Sequence, residues 1–176
     1  MSSTNYDQIS LKRIETAHPL IREVLRKAFM QASDQLTGDV FLRLAYVTRT
    51  FDEQTELYKL GRSILFKNGV RQGIVTWAKA GQSFHNYGLA FDIVLIHKNA
   101  PKAEFSTTGD FDADKEADWM EVVEVFKVYG FEWGGDWKTN KDLPHFQKTF
   151  GRTWSELLKL HSQKDFINGT QFVKLT

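Results

Sequence analysis

Between Leu89 and Ile96 the chain reads LAFDIVLI, an apolar run interrupted by a single carboxylate. A run of that length and make-up suits a buried strand. Successive side chains on a strand alternate between faces, so Phe91, Ile93 and Leu95 share one face and Ala90, Asp92 and Val94 the other. An ionised Asp in such company is costly to bury unless it is paired or bound to a cation. Ala90 beside it is small and leaves room for a ligand. His85 stands an odd number of residues from Asp92, so one straight strand would send the two side chains to opposite faces. The intervening Asn86-Tyr87-Gly88 supplies a turn that lets them converge.

A second segment, DLPHFQ from Asp142 to Gln147, completes the pattern. Pro144 biases Leu143 toward an extended conformation, which governs how His145 is presented. In extended chain Phe146 points to the core while His145 and Gln147 share the opposite face. Cysteine is absent, which excludes disulfides, thiolate ligands and Cys nucleophiles together. Any metal must be held by His, Asp and Glu. His85, Asp92 and His145 would leave a zinc ion formally singly positive, with a fourth position open to water, the mark of catalytic zinc. Asp142 is the candidate general base for that water, and it equally suits a cap on the turn before Pro144. His18, His97 and His161 have no comparable context and read as structural.

The chain has 176 residues, 41% of them hydrophobic, with 14 Phe and 5 Trp. That suits one domain with a core sufficient to fold without staples. A net charge of +1 gives no electrostatic case for nucleic acid or an anionic membrane surface. No apolar run approaches the roughly 20 residues of a membrane span. The start of the chain, MSSTNYDQISLKRIE, lacks the apolar stretch of a secretory signal. The expectation is a cytoplasmic monomer until something releases it.

Residues 1–17 read as a loosely attached lead-in, 18–160 as the folded domain and 161–176 as an extension packed on it as a final strand. A helix is predicted from Pro19, a favourable first position, with Leu20, Ile21, Val24, Leu25 and Ala28 on its apolar face. Phe41 to Thr48 reads as a strand. Thr50 and Glu53 form a capping-box pattern for a helix buried through Leu57 and Leu60 and stopped by Gly61. Ile74 to Trp77 is a short strand candidate. Asp112 or Asp114 is expected to cap a helix carrying Trp119, Val122, Val123 and Phe126, ended by Gly130. Phe131 to Trp133 and His145 to Phe150 read as extended, followed by a helix from about Thr153 to Leu160. This mixture without βαβ alternation predicts an α+β fold with a small antiparallel sheet flanked by helices.

Together these segments resemble the family of zinc peptidases that includes L-alanyl-D-glutamate endopeptidases and D-alanyl-D-alanine carboxypeptidases, of hedgehog/DD-peptidase-like fold. Ser83, His85, Gly88, Ala90 and Asp92 match its S-x-H-x-x-G-x-A-x-D motif, and Asp142 with His145 match its acidic residue followed by His. Arg49 and Gln54 match an upstream Arg and Gln, and FEWGGDW from Phe131 to Trp137 is similar to the loop before the last ligand. The resemblance runs from about His18 to Trp154. It implies one zinc per chain on His85, Asp92 and His145, Asp142 as base, and Arg49 as the cation facing the developing oxyanion. A surface salt bridge is the alternative for Arg49. Gln54 either orients substrate or faces solvent, Ser83 hydrogen-bonds near a ligand, and Trp133 and Trp137 either wall the substrate cleft or belong to the core.

Asp rather than Glu at position 142 resembles the branch of phage endolysins that cut L-alanyl-D-glutamate bonds. The implied substrate is the peptidoglycan stem peptide, with action at the bacterial cell wall. Two alternatives stand beside it: a D,D-carboxypeptidase or dipeptidase of the same fold, and a zinc-bearing binding module without catalysis, as in hedgehog-type relatives.

Overall fold

A computed structural model describes residues 6–175. In chain order the elements are α1 (Gln8–Ile14), α2 (Pro19–Gln35), β1 (Val40–Tyr46), α3 (Phe51–Lys59), β2 (Phe66–Lys67), β3 (Val70–Arg71), β4 (Ala90–His97), β5 (Ala103–Glu104), α4 (Asp118–Val128), β6 (Glu132–Trp133), β7 (His145–Gln147) and α5 (Trp154–Ser162). They fall into two compact units. One comprises the chain up to Val47 with Ala90–Lys148, the other Thr48–Leu89 with the chain from Thr149 onward.

The first unit holds an antiparallel sheet in the order β1-β4-β7-β6, with β5 paired to the far end of β4. Strand β4 is its centre. Directly opposed residues share a face in such a ladder, so Leu42 against Leu95, Leu44 against Ile93 and Phe91 against Phe146 build one apolar surface. Phe126 of α4 covers it, with ring centroids 4.8 Å from Phe91 and 5.0 Å from Phe146. All seven side chains are essentially sealed from water. On the reverse face stand Asp92 and His145, opposite one another. An irregularity between Leu44 and Tyr46 lets β1 end with Tyr46 beside Asp92, one extra residue re-aiming the strand.

Residues 8–14, expected within a loose lead-in, instead form α1 and are integral to this unit; Met1–Asn5 of that lead-in lie outside the described residues. Asp7 caps α1 through the Ser10 N–H and pairs with Arg43 of β1 at 2.8 Å, while Ser10 Oγ accepts from the Leu44 N–H. Sequence periodicity missed α1 because its two buried anchors, Ser10 and Ile14, make too short a stripe to stand out. Helix α2 begins at Pro19 as expected, capped by His18 Nδ1, but Leu20 on its first turn is exposed. Neither Asp112 nor Asp114 caps α4: the capping position is Ala117, with no side-chain bond.

In the second unit the capping box of α3 forms as expected, Thr50 with Glu53. A second one, Thr153 with Glu156, opens α5. The buried residue of α3 is Gln54, with Leu57 only half-buried. The strand expected at Ile74 to Trp77 does not form. Those residues are irregular and largely exposed, and the hairpin lies earlier, at β2 and β3, where Asn68-Gly69 supplies two positive φ angles, the requirement of a tight hairpin turn. The extension after α5 packs through Val173 and Leu175 and makes a single bridge, Phe166 to Val173, in place of a strand.

Phe91 touches Phe126, Phe131 and Phe146 at once. Replacing it with Ala is expected to cost about 3–5 kcal/mol, read from the midpoint of urea unfolding. A loss below about 1 kcal/mol would mean this ring cluster is not the core of the sheet.

Candidate metal centre

Asp92 and His145 come from neighbouring strands in register, and their side chains meet with His145 Nδ1 3.3 Å from Asp92 Oδ1. His145 is buried and Asp92 half-buried. The other imidazole nitrogen, Nε2, lies 3.1 Å from Gln147 Oε1, and the Gln147 amide nitrogen donates to Glu132 Oε2 at 3.2 Å. A carboxylate only accepts. Glu132 therefore holds the amide NH2 of Gln147 toward itself and turns the carbonyl to His145, which places the ring proton on Nε2. The nitrogen left for a metal is Nδ1, on the side of Asp92. Orientation of a ligating imidazole by its second nitrogen is the usual support of such sites.

The segment leading to His145 is clasped from behind. Trp133 donates its indole N–H to the Leu143 carbonyl at 2.7 Å, and the Asp142 N–H donates to the Gly134 carbonyl at 3.2 Å. A Cβ on Gly134 would run into the Asp142 carbonyl oxygen, and one on Gly135 into the Trp133 ring. Gly134 lets the two segments close on each other, and Gly135 leaves room for the Trp133 ring. Trp133 thus acts as a buried clasp, whereas Trp137 is half-buried with its ring 5.3 Å from that of His145. Asp142 itself is exposed, and its backbone carbonyl accepts from the His145 N–H at 3.2 Å.

His85 sits in a 3-10 turn, Phe84–Tyr87, that follows Ser83 and ends at Gly88 in the left-handed conformation, φ 68°. That is the turn expected from Asn86-Tyr87-Gly88. Ser83 Oγ accepts from the His85 N–H at 3.4 Å. The His85 carbonyl accepts from the Arg49 N–H at 3.0 Å, and Asn86 donates to the Arg49 carbonyl at 2.9 Å. Arg49 is 9% exposed and donates to Gln54 Oε1 at 2.9 Å; Gln54, fully buried, donates in turn to the Ala78 carbonyl at 2.7 Å. Arg49 is therefore withdrawn from the surface, and Gln54 does not face solvent. Gln54 holds the guanidinium in place.

Among the described residues His85, Asp92 and His145 form one of three groups able to offer metal-ligand atoms all within 4.8 Å of one another. Two buried imidazoles and one carboxylate, with no sulfur, are a donor set suited to zinc and to an open fourth position. Donors about 2.0–2.2 Å from one tetrahedral ion stand roughly 3.3–3.6 Å apart, and His145 Nδ1 and Asp92 Oδ1 are 3.3 Å apart. The residues fit the metal.

Sequence reasoning missed Gln147, Glu132, Gly134 and Asn86. Strand alternation had placed Gln147 on the face of His145, which was a usable signal. Glu132 and Gly134 act through contacts with a segment about ten residues on, which no spacing rule reveals.

A family model described as D-alanyl-D-alanine carboxypeptidase matches residues 76–148. The chain is 42% identical over 130 residues to the peptidoglycan L-alanyl-D-glutamate endopeptidase CwlK of Bacillus subtilis (strain 168), spanning 74% of this chain and 72% of that protein. The crystal structure of the L-Ala D-Glu endopeptidase ChiX of Serratia marcescens superposes with a TM-score of 0.50 at 24% identity, covering 82% of this chain and 90% of that one. That likeness shows the fold.

Two outcomes follow. Gln147→Leu is expected to weaken zinc binding by about 10–100-fold in a competition titration with a chelating dye, while circular dichroism stays unchanged; wild-type affinity in this variant would remove Gln147 from the site. The second concerns pH. Burial alone would depress the His145 pKa, but the hydrogen bond and charge of Asp92, with Gln147 and the charge of Asp142, hold it above the ordinary imidazole value. In metal-free protein this pair therefore adds stability that is complete below about pH 6.5 and fades as pH rises through the raised value. Zinc needs the neutral ring, so its stabilisation should grow over the same rise. Thermal scans at pH 6 to 8 with zinc and with chelator test this, and parallel curves would contradict it.

Proposed function

This chain belongs to the zinc peptidase family of the L-alanyl-D-glutamate endopeptidases and D-alanyl-D-alanine carboxypeptidases, and from that premise we propose that it hydrolyses the stem peptide of peptidoglycan at the L-Ala-D-Glu bond. The observation that carries the reading is the His85, Asp92 and His145 group, a donor set that leaves room for water and substrate. The choice of bond is supported by the 42% identity to an enzyme of that specificity and by Asp at position 142.

Zinc held by these three side chains would supply, when bound, Lewis-acid polarisation of the scissile carbonyl and a water of lowered pKa. Asp142 is the proposed base. It lies on the clasped segment three residues before His145, exposed and so open to water. It takes a proton from the attacking water as the new C–O bond forms. It then delivers that proton to the amine as the C–N bond breaks, so no net proton is gained or lost at the carboxylate. Arg49 is the proposed oxyanion partner: a permanent charge, mostly shielded from water and held by Gln54, is costly to reorient and is worth most where charge develops. Trp137, half-buried beside His145, is the proposed aromatic contact for the substrate. The proposed setting is the bacterial cell wall, with the chain acting as a monomeric lytic enzyme of the endolysin type.

Digestion of purified muropeptides, with products identified by mass, tests the reading. Expected is release of L-alanine from the stem, lost on chelation and restored by zinc. Release of terminal D-alanine instead would move the assignment to the carboxypeptidase branch, and hydrolysis that survives complete metal removal would overturn it. Asp142→Ala is expected to lower turnover at least about 100-fold while zinc stays bound.

A further inference from the structure

Residues 110–121 read DFDADKEADWME: six carboxylates and one Lys in a single short stretch. An acidic stretch is ordinarily solvated and repels itself. In this one three carboxylate oxygens are turned away from solvent. Among the described residues Asp118 is fully buried, and its Oδ1 has neither solvent nor a hydrogen-bond donor, although Oδ2 accepts from the Phe111 N–H at 2.7 Å. Asp112 Oδ1 and Glu121 Oε2 are likewise buried without a donor. Buried polar atoms without partners are rare in folded proteins and call for an explanation, a bound ion being one. Here three of them are carboxylate oxygens of the same segment.

They are also grouped. Asp110, Asp112 and Asp118 can bring one ligand atom each within 4.8 Å of one another, and so can Asp112, Asp114 and Glu121. Asp112 belongs to both groups. Burial and the charges of Asp114, Asp112, Asp118 and Glu116 push Glu121 up to about 7, a measure of negative charge left without a counter-charge.

From this geometry we infer that Asp110, Asp112, Asp114, Asp118 and Glu121 form a binding site for a calcium ion, separate from the His85, Asp92 and His145 centre. All donors are oxygen, which suits a hard divalent cation and not zinc. Counted from Asp110, the acids fall at the first, third, fifth, ninth and twelfth places, and those are side-chain ligand positions of the calcium loop known from EF-hands. That loop has Gly at its sixth place for a sharp turn. Lys115 stands there, and its φ is 84°, so the backbone adopts the required turn without the usual residue. Calcium accepts six to eight oxygens in irregular geometry, whereas magnesium demands a near-ideal octahedron and keeps its waters. A loop with this many carboxylates therefore favours calcium.

The ion would act on the fold of the first unit. Asp112 Oδ2 accepts from the Thr37 N–H and hydroxyl, tying the loop to the turn between α2 and β1. Asp118 and Glu121 lie in the first turn of α4, the helix whose Phe126 covers the apolar face of β4 and β7. Calcium would thus pin the start of the helix that backs the sheet carrying Asp92 and His145.

The test uses the zinc-loaded full chain. Calcium chloride is titrated by calorimetry and thermal scanning, with magnesium in parallel, on wild type and on Glu121→Gln. Expected is one calcium per chain and a melting temperature raised by roughly 5–10 °C at about 100 times the dissociation constant. Magnesium should give a smaller shift. Glu121→Gln should lose the calcium response, keep its zinc, and melt no lower than wild type in calcium-free buffer, because it removes a repelling buried charge. A variant damaged only in packing would melt lower there. No heat and no shift at about 10 mM calcium, beyond the range of the weakest such loops, would overturn the inference, as would an equal shift in Glu121→Gln. An equal magnesium response would overturn the choice of calcium.

Discussion

Strand β4 has to satisfy two opposite demands, and most of the first unit follows from that. One face carries Phe91, Ile93 and Leu95 into a water-free core, while the other carries a carboxylate one residue from Phe91. Even a half-buried charge of that kind destabilises a fold unless a partner neutralises it. His145, directly opposite on β7, is that partner, and the same strand register that lays Phe146 on Phe91 lays His145 on Asp92. A slip by one residue would reverse both faces at once. Core packing thereby sets the spacing of two of the proposed metal ligands, to a tolerance that a flexible loop would not hold.

Support for the centre is built in layers outside the ligands. Glu132 orients Gln147, and Gln147 sets the proton of His145. Trp133 and Gly134 hold the segment between them and β7. In the second unit Gln54 fixes Arg49, and Ser83 and Gly88 shape the turn of His85. Such arrangements cost stability, since polar groups are buried to make them, but each is satisfied by hydrogen bonds. In the proposed reaction they would supply preorganisation, with charges and lone pairs already aimed before substrate arrives.

The two proposed cation sites divide the periodic table between them by donor chemistry alone. Imidazoles with one carboxylate and an open position suit zinc and its reactivity. A ring of carboxylates with no nitrogen suits an ion that only holds structure. The second site also accounts for the missing cap of α4. Asp112 and Asp114 sit where a cap would be sought, yet Ala117 takes the position, and Asp112 Oδ2 is engaged by Thr37 instead.

Read alone, the sequence determined the elements whose signal is local. Alternation in Leu89 to Ile96 marked the strand and its charged face, the Thr50-Glu53 pair marked a helix start, and the turn residues Asn86 to Gly88 showed how His85 would rejoin Asp92. The motifs it shares with the zinc peptidases then gave the resemblance to that family. Tertiary structure decided what depends on neighbours distant in the chain. Helix α1 became part of the core because Ser10 and Asp7 found β1, and Gln54 proved buried because Arg49 and Ala78 claimed its amide. Ile74 to Trp77 formed no strand because no partner backbone pairs with it among the described residues. Asp92 needed both sources. Its oddity was legible in eight letters, but which imidazole would face it, and which nitrogen that ring would offer, was settled only when β7 paired with β4.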